Sequence, residues 1–200
     1  MANQAASPSP TITSMIRLDH MHVLAAFHRY RSSTPWWRKR AIVGSVCDAL
    51  EIHAQLEEEL FYPALRDVLA DDDETLAKSR PEHDEMRAII ARLRAMGPEN
   101  AAYDALFMQL MRDVIHHVAD EETRLLPAAE RALQDQLRPL GASMTRRRLQ
   151  LLGERPAEIT LNAMGTFPVA TFVIGAMLVV GTARWMGRSR ALPASGRAAS

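Results

Sequence analysis

The chain has little of several things, and each shortage removes a class of protein. It has one cysteine in 200 residues, which excludes an internal disulfide framework and a site built from several thiolates, whether zinc or iron–sulfur. It has no excess of either charge, with 24 Lys+Arg against 24 Asp+Glu. The balance is uneven along the chain. All the acidic residues lie at or before Glu158, where 20 basic residues face them for a net of −4, and Arg184, Arg188, Arg190 and Arg197 follow. A mildly acidic body lacks the basic face that a nucleic-acid binder needs, so no nucleic-acid partner is expected. No sustained alternation of period two appears, which argues against strands. The first residues, Met1–Ser14, have neither a basic nor an apolar region of a signal peptide and read as a disordered N-terminus over 1–14. What is present is a hydrophobic fraction of 48%, enough to build a core.

One long stretch is uncharged, the 25 residues between Glu158 and Arg184. A helix over Asn162–Ala183 would be roughly 33 Å long, enough to cross a hydrocarbon core. Trp185 and arginines flank it. The reading is a transmembrane helix over 161–185, a basic juxtamembrane connector over 139–160 and a basic tail over 186–200. The expected location is a single-pass membrane protein with its body in the cytoplasm and the membrane as a partner.

Residues 15–138 are punctuated at Ser32–Pro35, Asp71–Glu74, Gly97–Asn100 and Arg138–Gly141. The segments between are rich in Ala, Leu, Arg, Glu and Met and repeat their apolar residues in steps of three and four. Short connections make neighbours antiparallel, so the expected fold is all-α, an up-down-up-down four-helix bundle followed by the transmembrane helix.

Each apolar stripe carries a histidine: His20, His53, His83 and His117. Two stripes carry a glutamate one turn later, Glu57 and Glu121. An ionised glutamate on a buried face costs several kcal/mol unless it is paired or metal-bound. The pattern is also duplicated. His53-x-x-x-Glu57-Glu58 with Pro63 matches His117-x-x-x-Glu121-Glu122 with Pro127, 64 residues on, and Asp19-His20 corresponds to Glu82-His83, 63 residues on. Six donors around a pseudo-two-fold axis suit a dinuclear metal centre, with two histidines for each ion and two carboxylates able to bridge them. Imidazole suits iron, zinc or copper.

Other residues are weaker candidates. His22 and His28 read as surface, and His116 as a flanking residue or one that touches a ligand from outside. Glu58, Glu122 and Asp19 either orient the ligands or are solvated acids, the second reading being favoured for the two glutamates. Cys47 reads as a small buried residue. Pro63 and Pro127 shape or kink the later turns.

As a set, Asp19-His20, His53-x-x-x-Glu57-Glu with Phe61-Tyr62-Pro63, Glu82-His83, and His117-x-x-x-Glu121-Glu with Leu126-Pro127 resemble the hemerythrin-like, or HHE cation-binding, family over about residues 15–135. The resemblance implies two iron ions in a non-haem di-iron centre, oxo- or hydroxo-bridged. His20, His53, His83 and His117 would be terminal ligands, with Glu57 and Glu121 bridging. It implies a protein that binds, senses or stores O2 or a related small diatomic or peroxide. The alternative is an enzyme or iron-handling protein acting on NO or peroxide, or repairing iron centres. A third reading is a metal-free helical scaffold. The oxygen carriers of that family have a fifth histidine one turn after the third-helix histidine, where this chain has Arg87. The more symmetric set is similar to members implicated in iron-centre repair, but their cysteine-containing N-terminal segment is missing.

Overall fold

A computed structural model of the chain describes residues 10–69 and 74–154. Seven α-helices are described: α1 Ile12–His28, α2 Trp36–Leu56, α3 Tyr62–Arg66, α4 Glu74–Ala95, α5 Tyr103–Asp120, α6 Leu126–Ala132 and α7 Leu137–Glu154. The Thr11 side chain caps α1 by accepting from the Ser14 backbone N–H at 3.2 Å. Short π-helical turns, Glu57–Phe61 and Glu121–Leu125, join α2 to α3 and α5 to α6, so each pair is one long rod. In both, the N–H of the residue before the proline reaches back five residues, Tyr62 to Glu57 and Leu126 to Glu121. Pro63 and Pro127 have no N–H for the carbonyl four residues back, and a wider turn accommodates that loss without breaking the rod.

The four rods α1, α2–α3, α4 and α5–α6 bury two apolar clusters. One includes Val23, Val46, Leu50, Met86, Phe107, Leu110 and Val114. The other includes Ile12, Ile16, Leu56, Phe61, Leu76, Leu125 and Leu126. A polar layer separates them, and its place on each rod follows from the sequence. His20 falls between Ile16 and Val23, His53 between Leu50 and Leu56, His83 between Leu76 and Met86, and His117 between Val114 and Leu125.

The last stretch departs from expectation. The break read at Arg138–Gly141 lies instead at 133–136, and Pro139 falls in the first turn of α7, where a missing N–H removes no helical bond. Gly141 is small for packing, not for a turn: a Cβ there would come within 2.0 Å of the Pro10 carbonyl oxygen. Residues 137–154, most of the expected connector, thus form a helix that lays Leu137, Gly141, Met144 and Leu151 against the bundle and rests on α1 and α2.

The expected transmembrane helix over 161–185 lies outside the described residues. Among the described residues no helix is long and apolar enough to cross a membrane. The bundle helices each carry charged faces, and α7 carries Arg138, Arg146, Arg147 and Arg148. The fold is therefore corrected to a multi-helix bundle with no membrane-spanning helix among the described residues. The membrane anchor, the membrane as a partner and the single-pass membrane localisation are withdrawn with it.

Candidate metal centre

The helical repeat brings the six candidate ligands into one buried layer. They form two groups whose donor atoms lie within 4.8 Å of one another: His20, His53, Glu57 and Glu121 in one, Glu57, His83 and His117 in the other. Glu57, Glu121 and His83 are fully buried and the other three histidines nearly so. Each glutamate faces a histidine of both halves. Glu57 Oε2 lies 3.2 Å from His53 Nε2 and 3.5 Å from His83 Nε2. Glu121 Oε2 lies 3.3 Å from His20 Nε2 and 3.7 Å from His117 Nε2.

The outward nitrogens are all engaged by carboxylates. His20 Nδ1 meets Glu122 at 2.9 Å, His53 Nδ1 meets Asp19 at 3.4 Å, His83 Nδ1 meets Glu58 at 2.9 Å and His117 Nδ1 meets Glu82 at 2.8 Å. Carboxylates accept, so each imidazole carries its proton on Nδ1 and turns the Nε2 lone pair inward. A cation lies beside every one of these acids. Arg17 bonds Glu122 at 3.1 Å, Arg87 bonds Glu58 at 2.8 Å and Arg148 bonds Asp19 at 2.7 Å, while Lys78 donates to Asp120 and lies 3.8 Å from Glu82. Glu58 and Glu122 are therefore not a solvated run. They orient His83 and His20, and Arg87, at the position of the oxygen carriers' fifth histidine, holds Glu58.

Inside this ring the donors converge with too few protons. His83 Nε2 and His117 Nε2 approach to 3.1 Å. His20 Nε2, His53 Nε2, Glu57 Oε1 and Glu121 Oε2 are buried without a hydrogen-bond partner. Native interiors rarely leave such atoms unmatched. Facing lone pairs and buried carboxylates are the donor set that a pair of cations satisfies, so these residues fit two metal ions. Without a metal these groups interact strongly, and an uncoordinated His20 holds a proton against the glutamates. Burial and the neighbouring Glu121 push the Glu57 carboxyl well above its usual range. Burial would lower His20, but Glu121 and Glu57 outweigh it and lift the ring to about 9. Burial dominates at His53 and lowers it to about 4. The two clusters of histidine and glutamate could form a di-iron site.

Two features break the two-fold symmetry. Tyr62 is buried and donates its O–H to Glu121 Oε1 at 2.8 Å, with Glu57 Oε2 at 3.3 Å and His83 Nε2 at 3.4 Å. Its counterpart in the second copy is Leu126. On the other side, a cavity of about 10 Å³ is lined by Val23, Leu50, Met86, Val114 and Val118 beside three of the histidines. That is room for about one water-sized molecule, in apolar surroundings.

The remaining candidates lie elsewhere. His22 and His28 are exposed, His116 is exposed 3.6 Å from Asp120, and Cys47 is buried in the first apolar cluster. Sequence reasoning assigned no role to Tyr62, Glu82, Arg17, Lys78 or Arg148. Glu82 had a usable signal, its correspondence with Asp19. Arg148 had none, being 129 residues from the aspartate it holds.

The comparisons with known proteins bear on the family and the fold. The hemerythrin HHE cation-binding domain matches residues 11–129, and the chain belongs to that family. A crystal structure of an HHE cation-binding domain-containing protein from Mycobacterium kansasii superposes with a TM-score of 0.63 at 19% identity, covering 78% of this chain and 99% of that one. At that identity the likeness is one of fold. A curated relative from Nostoc sp., a DNA nickase, is 27% identical over 125 residues, 62% of this chain. The chain spans only 35% of that relative.

Proposed function

We propose that the chain holds two iron ions, one at His20 and His53 and one at His83 and His117, bridged by Glu57 and Glu121, and that it binds O2 or a related diatomic for sensing or storage. The observation that carries this reading is that each glutamate lies against a histidine of both clusters. When bound, the metal pair supplies redox chemistry and an exchangeable position for a small ligand. The residues of the chain do the rest. Glu122, Asp19, Glu58 and Glu82 hold the Nδ1 protons and fix the rings. Val23, Leu50, Met86, Val114 and Val118 give a small cavity of about 10 Å³ beside His20, His53 and His117 an apolar lining that suits a small uncharged ligand.

The test is iron content and the visible spectrum of the full chain, reduced and then exposed to air. About two irons per chain, with an oxygen-dependent band that disappears on removal of O2, supports the reading. A folded chain that takes up no iron refutes it.

A second reading, an enzyme acting on peroxide or NO at the same residues, is favoured by Tyr62. Burial, Glu57 and Glu121 raise its pKa well above the usual phenol range, so it keeps its proton beside the site as a fixed donor. Turnover of peroxide or NO by the iron-loaded chain, lost in Tyr62→Phe while both irons stay bound, would select this reading over simple binding.

A further inference from the structure

Three of the cations that steady the histidine-bound carboxylates belong to the bundle: Arg17 on α1, and Lys78 and Arg87 on α4. The fourth does not. Within the internal repeat, Asp19 corresponds to Glu82 and His53 to His117. The cation nearest Glu82, Lys78 at 3.8 Å, lies one turn before it and also donates to Asp120, and the matching position in the first copy is Met15. A methionine, 8% exposed, cannot hold a carboxylate. The cation on Asp19 comes instead from α7, which begins after the last residue matched to the HHE domain.

We propose that α7 is a working part of the metal centre, with Arg148 the positioning residue that holds Asp19 against His53 and so sets the affinity and potential of the His20–His53 metal position. The proposal rests on the two-metal reading above. Both Asp19 oxygens are held by the Arg148 fork, Nη1 to Oδ1 at 2.7 Å and Nη2 to Oδ2, with Asp19 only 14% exposed. A two-point contact fixes the plane of the carboxylate, which a lysine's single charge does not. A fixed carboxylate in turn fixes the imidazole and raises its basicity toward a metal.

The helix that delivers this guanidinium is firmly seated. Gly141 packs against the Pro10 carbonyl and Met144 is fully buried. The Thr145 hydroxyl, which donates to the Gly141 carbonyl at 2.9 Å, lies 3.5 Å from the Met15 sulfur, and Arg147 holds Glu59 on the first π turn at 2.7 Å. Thus α7 reaches the two residues that distinguish this half, Met15 and Asp19. Anything that lifts it loosens the His20–His53 position first.

The experiment compares the full chain with Arg148→Met, which keeps the apolar stem but removes the fork, and with Arg148→Lys. Ferrous iron is titrated anaerobically, and Mössbauer spectra, midpoint potentials and helical circular dichroism are recorded. In Arg148→Met one of the two iron equivalents binds roughly tenfold more weakly. One Mössbauer doublet shifts while the other stays, and Arg148→Lys falls between. Asp19→Asn combined with Arg148→Met is no weaker than Asp19→Asn alone, because the arginine acts through the aspartate. Unchanged iron affinity, potential and spectra in Arg148→Met overturn the proposal, as does a lowered melting temperature with metal properties intact. If Arg148→Met fails to fold, Arg148→Lys decides the matter by the same readouts. A parent chain that binds no iron refutes the two-metal reading itself, an outcome distinct from two irons that are indifferent to Arg148.

Discussion

At the His20–His53 position the orienting acids are Asp19 and Glu122, held by Arg148 and Arg17. At the His83–His117 position they are Glu58 and Glu82, with Arg87 bonded to the first and Lys78 3.8 Å from the second. The ligand sets are copies, and the surroundings are not. The second position has a phenol, Tyr62, within 3.4 Å of His83, where the repeat would place its equivalent at Leu126. The first position has Met15 where the second has Lys78, and takes its cation from a helix outside the repeat. On the two-metal reading, duplication of a helix pair repeats the donor set while the residues around it make the two positions unequal. An ion's affinity and potential depend on the partners of its ligands as well as on the ligands.

The sharpest way to break the comparison is to remove a residue common to both positions. Glu57→Ala takes away the carboxylate shared by both groups and should reduce iron from about two per chain to one or none, measured as metal per folded protein. Arg148→Met, by contrast, should weaken only one equivalent.

The next effect falls on the carboxylates that the two positions share. Tyr62→Phe removes the donor to Glu121 and leaves a buried carboxylate without it. In the metal-free chain this should cost about 1–3 kcal/mol, read by chemical denaturation. Iron stoichiometry should be retained, and both doublets should shift, because Tyr62 bonds the glutamates that lie against histidines of both halves.

Gly141→Ala tests the docking of α7 without touching a charged residue. Its Cβ would lie 2.0 Å from the Pro10 carbonyl, so helix and chain must part. A loss of about 1–3 kcal/mol is expected, typical of overpacking. Hydrogen exchange should quicken along α7, with weakened iron binding at the Arg148-dependent equivalent.

The smallest effect lies at the end of the bundle away from the metal layer. There Asp104 accepts from Tyr30 and from Lys39 at 2.7 Å. Burial would raise its pKa, but the Lys39 and Tyr30 contacts outweigh it and lower it. A carboxylate depressed in the folded state stabilises above its unfolded pKa and loses that contribution as pH falls through the folded value. Asp104→Asn should therefore lower stability at pH 7 by less than about 1 kcal/mol, the pair being partly exposed. The difference should shrink in acid, as denaturation at pH 7 and pH 3 would reveal.

Much of the centre was legible in the sequence because its spacing is a local property. A histidine and a glutamate four residues apart share a helical face whatever the helix packs against. Their recurrence in two halves is a pattern that needs no coordinates. Glu58 and Glu122 were harder, since an acidic run after a glutamate is as common on a wetted face as beside a metal. What decided it was which helix lay opposite: Glu58 reaches His83 on α4, and Glu122 reaches His20 on α1. Arg138–Gly141 misled because proline and glycine mark turns in most sequences. Here proline opens a helix, and glycine admits a close backbone contact that only the packed chain contains.

The sequence by itself determined the four helical rods and the six polar residues on their apolar faces, because these follow from periodicity along one chain. Only the tertiary structure decided which carboxylate holds which imidazole, that Tyr62 points at the paired glutamates, and that α7 closes onto Asp19. Those contacts join residues up to 129 positions apart. Their partners are chosen by how the helices pack, which no local spacing encodes.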